Sequence, residues 1–251
     1  MACKTNILFH RGSNLLKKKS PSPLIPKIYS ATDYNVRLND FSPQALSVVK
    51  ALRKAGYTAY IVGGCIRDLL LGTTPKDFDI STSAKPEEIK ALFKNCILVG
   101  KRFRLAHIRF ANQIIEVSTF RSGDTETDAL ITKDNLWGTP EEDVLRRDFT
   151  INGLFYDPAE EAIIDYTGGM SDLSNHYLRT IGDPFMRFKQ DPVRMLRLLK
   201  ILSRFQFTVA PQTQEALLAC HRELTKSSQA RVFEELIKML NSGVSARFFR
   251  L

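Results

Sequence analysis

The absences in this sequence narrow it first. No apolar run among the 251 residues approaches the ~18 that a membrane-spanning helix needs, which excludes that class. The four cysteines, Cys3, Cys65, Cys96 and Cys220, show no C-x-x-C spacing and no Cys/His pairing. That argues against a zinc site or a disulfide framework and fits a reducing compartment. His107 and His221 also lack metal-ligand spacing and read as structural. No internal repeat is visible. Acid is missing from the start of the sequence: residues 1–32 hold Lys4, Arg11, Lys17, Lys18, Lys19 and Lys27 without one Asp or Glu. Most of the net charge of +9 is therefore a basic N-terminal stretch, read over 1–40 as a disordered tail. Its Ser20-Pro21-Ser22-Pro23 segment suits a linker. The expected location is the cytoplasm, with organelle targeting by the acid-free start as the alternative.

A hydrophobic content of 43% is enough to build a real core. Ser42-Pro43 opens a helix whose apolar residues Leu46, Val49 and Leu52 recur at helical spacing until Gly56. Residues 57–62 read as a buried strand ending at Gly63-Gly64, and 65–71 as a short helix. The glycines thus sit at a strand-to-helix turn, where backbone amides attract anions. Further strands are expected at 77–81, 106–110 and 114–120, and a helix at 86–94. Residues 122–143, polar with Gly and Pro, read as a long mobile loop. After Gly182-Asp183-Pro184 helical patterns take over, at 191–205, 212–225 and 229–241. The expected organisation is a mixed α/β head over 41–183 and an all-helical piece over 184–251.

The chemistry concentrates between Gly63 and Asp79. Asp77 and Asp79, spaced i and i+2, would share one face of a strand. Two acids beside a phosphate-holding turn suit Mg²⁺-dependent phosphoryl transfer, because Mg²⁺ is usually held by one or two carboxylates plus substrate phosphates. Glu116, an acid inside the apolar strand Ile114-Ile115-Glu116-Val117, is the candidate third carboxylate, since burying it without a partner is costly. Any one of these acids also reads as a turn or cap residue; the whole set does not. Asp68 reads as a structural partner of Arg67, and Arg67 as a residue able to reach a phosphate.

At these residues the sequence resembles the polymerase-β-type nucleotidyltransferases, within them the class of bacterial poly(A) polymerases and CCA-adding tRNA nucleotidyltransferases. The resemblance runs from about residue 41 to the end. It implies a nucleotidyltransferase head with a mixed β-sheet followed by a helical neck, the C-terminal part being short for the class. It also implies two Mg²⁺ ions on Asp77 and Asp79, ATP as substrate and RNA 3′ ends (mRNA, small RNA or tRNA) as partners. Gly63, Gly64 and Arg67 would hold the triphosphate. Arg147, Asp148 and Asn152 of the segment Arg146–Asn152 would contact the incoming nucleotide. Asp191, Arg194 and Arg197 would form a base-reading face, though Asp191 before Pro192 is also an ordinary helix-capping arrangement. Gln190 stands where the family usually has Glu. The segments 98–107 and 230–235 resemble the poly(A) polymerase branch. Lys101, Arg102 and Arg104 form a basic cluster suited to RNA, or equally a solvated turn. The expected activity is template-independent adenylate addition; CCA addition to tRNA and a catalytically silent RNA-binding protein are the alternatives.

Overall fold

The computed structural model describes residues 24–100, 104–123, 130–131 and 136–250. It begins with β1 (Lys27–Ser30) and continues through α1 (Pro43–Lys54), β2 (Ala59–Val62), α2 (Gly64–Leu70), β3 (Asp79–Thr82), α3 (Pro86–Leu92), β4 (Cys96–Val99), β5 (Leu105–Arg109) and β6 (Ile114–Thr119). Then follow α4 (Pro140–Leu145), β7 (Leu154–Asp157), β8 (Ala162–Asp165), α5 (Gly169–Ser174) and β9 (Tyr177–Leu178). The last part holds α6 (Pro184–Gln190), α7 (Val193–Phe205), β10 (Thr208–Val209), α8 (Pro211–Cys220), α9 (Gln229–Leu240) and α10 (Ser245–Phe248).

Eight strands form one mixed sheet in the order β1-β8-β7-β2-β3-β6-β5-β4. Only β3 and β6 run parallel; the other neighbours are antiparallel. One face carries Ile61, Ile80, Ile108 and Ile115, all buried against Val48, Leu52 and Ile89 of the helices. Helix α1 starts where expected: the Ser42 hydroxyl accepts from the Ala45 amide and Pro43 fills the first turn. A second core packs Phe149 and Leu178 against Phe188, Leu198 and Ile201, which seats α6 and α7 on the head. Among the described residues no helix is long and apolar enough to cross a membrane.

The tail expectation over 1–40 needs correction from Lys27 onward. Residues 27–30 pair antiparallel with β8, and the following turns bury Ala31 and Val36 in the main core. The Pro- and Ser-rich composition conceals a strand whose partner lies more than a hundred residues away. The rest of that expectation, residues 1–23, lies outside the described residues. The loop expected over 122–143 is also shortened. Thr139 caps α4 in a capping box with Glu142, and Pro140 occupies the first turn. The loop's segments 124–129 and 132–135 lie outside the described residues. The helical region carries one short strand, β10, parallel to β9.

Candidate active site

The site lies on the sheet face opposite the main core. Asp79 opens β3 and pairs in register with Glu116 on β6. Both side chains face one cleft, with Ser81 and Ser118 two residues further along the same strands. The apolar sequence around Glu116 predicts burial; instead its side chain is 43% exposed to the cleft, where it meets His107 Nε2 at 3.3 Å. The apolar residues flanking it belong to the other face, as a period of two dictates. His107, which reads from sequence as structural, therefore touches the site, because β5 places it directly opposite Glu116.

Asp77 corrects a second expectation. β3 begins only at Asp79, because its antiparallel partner β2 ends at Val62, opposite Asp79, and turns into Gly63. Asp77 therefore sits in an exposed segment just ahead of the strand, and the two acids do not share a strand face. Asp77 still acts electrostatically on Asp79. The Asp79 carboxyl opens onto the cleft, but the crowding of protein around it, then the Glu116 charge, raise it to about 7 against the opposing pull of Arg147.

Gly63 adopts φ 85° and ψ −141°, a region closed to side-chain-bearing residues. Its bare Cα faces Arg147 Nη1 and Asp79 Oδ2, which would stand 3.7 and 4.0 Å from a Cβ placed there. At Gly64 a Cβ would approach Arg67 Nη2 to 3.2 Å. The turn thus leaves room between the arginines and the carboxylate. Arg147 donates to Asp143 Oδ2 at 2.8 Å and to Ser81 Oγ at 2.9 Å, and lies 5.2 Å from the Phe155 ring centroid.

A continuous polar network ties these groups to the helices. Arg67 donates twice to Asp68 Oδ1, once to Asn152 Oδ1 at 2.6 Å, and stacks 5.1 Å from Phe205. Asn152 Nδ2 donates to Asp148 Oδ1, whose other oxygen accepts from Arg197. Burial would raise the Asp148 carboxyl, but Arg197 and the Asn152 hydrogen bond hold it below its usual range. Arg197 also reaches Glu235 at 3.0 Å and Asp191 at 3.5 Å.

Asp191 is gripped by Arg231 of α9 through two bonds of 2.6 and 2.9 Å. Burial opposes its ionisation, but the Arg231 bonds and Arg197 outweigh that and bring it down to about 2. Arg194 is directed inward, donating to the carbonyls of Arg187 and Arg146 at 2.9 Å each. Arg194 and Asp191 are both buried, and both line the cleft together with Arg197. Gln190 is buried and accepts from Arg187 at 2.8 Å. A Glu there would neutralise Arg187; with the neutral amide, burial and the neighbouring Arg194 and Arg146 pull Arg187 down to about 9. Arg104 is paired with Glu87 of α3, and Lys101 and Arg102 lie outside the described residues. Sequence reading missed Arg231, Lys238 and Arg121, which also line the cleft. Only a long-range contact reveals them.

No three acidic, histidine or cysteine side chains among the described residues enclose a metal position by themselves. Asp77, Asp79 and Glu116 form an open set, the kind a hard cation completes with phosphate oxygens and water. A strand-to-helix glycine turn, two in-register acids on parallel strands and an arginine-rich wall define a nucleotidyltransferase head.

The sequence comparisons agree. The profile described as "Poly A polymerase head domain" matches residues 59–179, and "Probable RNA and SrmB- binding site of polymerase A" matches 206–251. The protein belongs to the family of poly(A) polymerases and CCA-adding enzymes. It is 42% identical to poly(A) polymerase I of Haemophilus influenzae over 235 residues, which is 89% of this chain and 52% of that protein. It is 38% identical to the CCA-adding enzyme of Lactobacillus johnsonii over 212 residues, 82% of this chain and 52% of that one. The solved Bacillus stearothermophilus CCA-adding enzyme in complex with CTP superposes with a TM-score of 0.72 at 34% identity, covering 83% of this chain and 51% of that one. The sequence thus spans about half the length of the curated relatives it matches.

Proposed function

We propose that this protein is a template-independent polynucleotide adenylyltransferase of the cytoplasm, transferring AMP from ATP to RNA 3′ ends. The observation that carries the reading is the Asp79–Glu116 pair beside the Gly63 turn. The 3′-hydroxyl oxygen bonds the α-phosphorus, the bond from that phosphorus to the bridging oxygen of the β-phosphate breaks, and pyrophosphate leaves. The hydroxyl proton passes to solvent, so no covalent intermediate with the protein is required.

Asp77 and Asp79 are the proposed ligands of Mg²⁺, with Glu116 as third carboxylate. The donor set fits: the carboxylates are hard oxygens, and burial and then the neighbouring Glu116 charge, which lift Asp79 to about 7, leave a site that a divalent cation would compensate. Bound there, Mg²⁺ supplies positive charge to the attacking hydroxyl and to the departing pyrophosphate. Gly63 and Gly64 let the backbone approach the triphosphate. Arg67 retains two of its five N–H groups beyond the bonds to Asp68 and Asn152, and with Arg147 faces the phosphates. Asp148 and Asn152 position the ribose and hold Arg67 and Arg197 in place.

Asp191, Arg194 and Arg197 form the base-reading face, which lines the cleft. Arg231 occupies both Asp191 oxygens, so the carboxylate is fixed rather than free to swing. A fixed polar face suits one base better than two, and identity is higher to poly(A) polymerase I than to the CCA-adding enzyme. The second reading, CCA addition, is favoured by the solved likeness in complex with CTP. Single-nucleotide primer extension separates the two. Long tails from ATP alone support adenylate addition; short C-then-A additions confined to tRNA ends support the other. No Mg²⁺-dependent incorporation alongside intact RNA binding would leave a silent RNA-binding protein.

A further inference from the structure

The sheet face that carries Glu116 continues outward over β5 and β4, and among the described residues it has no helix over it there. Pairing aligns Glu116 with His107 and His107 with Ile97, while Ile114 lies opposite Arg109. Ile97, on the edge strand β4, and Ile114, at the start of β6, are 44% and 51% exposed. The opposite side of the same strands, Ala106, Ile108, Ile115 and Val117, is buried, so the strands are not simply frayed. Among the described residues Arg109 makes no ion pair. Where β5 turns into β6 an open groove of about 620 Å³ begins, lined by Lys76, Asp77, Phe78, Arg109 and Phe110.

This groove reaches Asp77, which with Lys76 also borders the cleft holding Gly64, Arg67 and Asp79. In-line displacement requires the attacking oxygen and the leaving oxygen on opposite sides of the phosphorus. Gly63, Gly64 and Arg67 lie on the β2 side of Asp79, and the bare strands lie on the β6 side. If the triphosphate occupies the first, the attacking RNA end must arrive from the second. The surface suits that occupant: Lys76 and Arg109 offer charge to phosphates, and the exposed Ile97 and Ile114 offer apolar area to bases.

We propose that the RNA primer lies across the bare face of β4, β5 and β6, with its last nucleotides in the groove at the β5–β6 turn. The inference rests on the adenylyltransferase reading only in requiring an RNA 3′ end at the carboxylates.

The test uses the full-length protein, an unstructured RNA primer and ATP. Arg109→Glu and Ile97→Asp, both at exposed positions, should each raise the KM for primer about tenfold. The KM for ATP should stay within about twofold, since neither residue lies on the nucleotide side. Arg109→Gln should lower the slope of log KM for primer against log salt by about 0.7, the loss of one single-strand phosphate contact. RNA carrying 4-thiouridine near its 3′ end should photo-crosslink within residues 97–114. Unchanged primer KM values in variants that melt like the wild type, or crosslinks confined to residues 206–251, would overturn the proposal. So would a change in solution mass on Ile97→Asp, which would make the face a contact between two copies of the protein. A wild type that crosslinks along this face but adds no AMP would sink the adenylyltransferase reading and leave the docking surface standing.

Discussion

Asp79 and Glu116 occupy paired positions on the only two parallel neighbours in the sheet. Parallel pairing brings the starts of both strands to the same edge, so the two acids and the Gly63 turn meet there. Antiparallel pairing of the same strands would have sent Glu116 toward the far end.

Asp79 carries a penalty for ionising in the fold, from burial first and the Glu116 charge second. Its folded-state value near 7 lies above the ordinary 3.8, so the charged form is disfavoured in the fold. The resulting loss of stability is absent below about pH 4, grows through the interval to about pH 7, and is complete above it. Asp79→Asn should therefore melt higher than the wild type at about pH 8 in chelator and show no such advantage at about pH 4. The same variant should lose AMP incorporation by at least about a hundredfold. Thermal melts at the two pH values, alongside incorporation assays, check both halves.

Asp191 has the opposite sign. Its value near 2 lies below 3.8, so its contribution is fully present above about pH 4 and is lost as pH falls toward 2. Asp191→Asn should cost about 2 kcal/mol at neutral pH and almost nothing at about pH 2, by denaturant titration. Arg231→Ala, which leaves a buried carboxylate with only the longer Arg197 contact, should cost about 3 kcal/mol and weaken discrimination between ATP and CTP.

Gly63→Ala places a Cβ where φ is 85° and ψ −141°. The strain should cost about 1–3 kcal/mol, read as a lower denaturation midpoint. Relaxing it moves the turn against Arg147 or Asp79, so incorporation should fall more steeply than stability.

Arg67→Lys tests the polar network. A lysine keeps the charge but cannot bond Asp68 twice while reaching Asn152 and stacking on Phe205. The KM for ATP should rise about tenfold, the loss of one charge-assisted hydrogen bond, with the primer KM unaltered.

Much of this is legible locally. Ser42-Pro43 and Gly56 bracket α1, and the apolar run around Glu116 marks β6, because caps and apolar runs depend on neighbours in sequence. The glycine pair and its following acids are legible for the same reason. β1 is not: Lys27–Ser30 is a strand only because β8 supplies its partner, and four residues carry no period of their own. The i, i+2 spacing puts Asp77 on a strand face only if the strand continues, whereas pairing with β2 stops at Asp79. His107 and Arg231 enter the site through cross-strand and interhelical contacts, to which spacing is blind.

The central claim, that the Asp79–Glu116 pair drives adenylate transfer to RNA, is tested most directly by primer extension with each nucleotide separately in the presence and absence of Mg²⁺. The account predicts long tails from ATP alone on an unstructured primer, dependent on Mg²⁺ and abolished in Asp79→Asn and Glu116→Gln. Incorporation that survives both substitutions, or that needs CTP and a tRNA end, would contradict it.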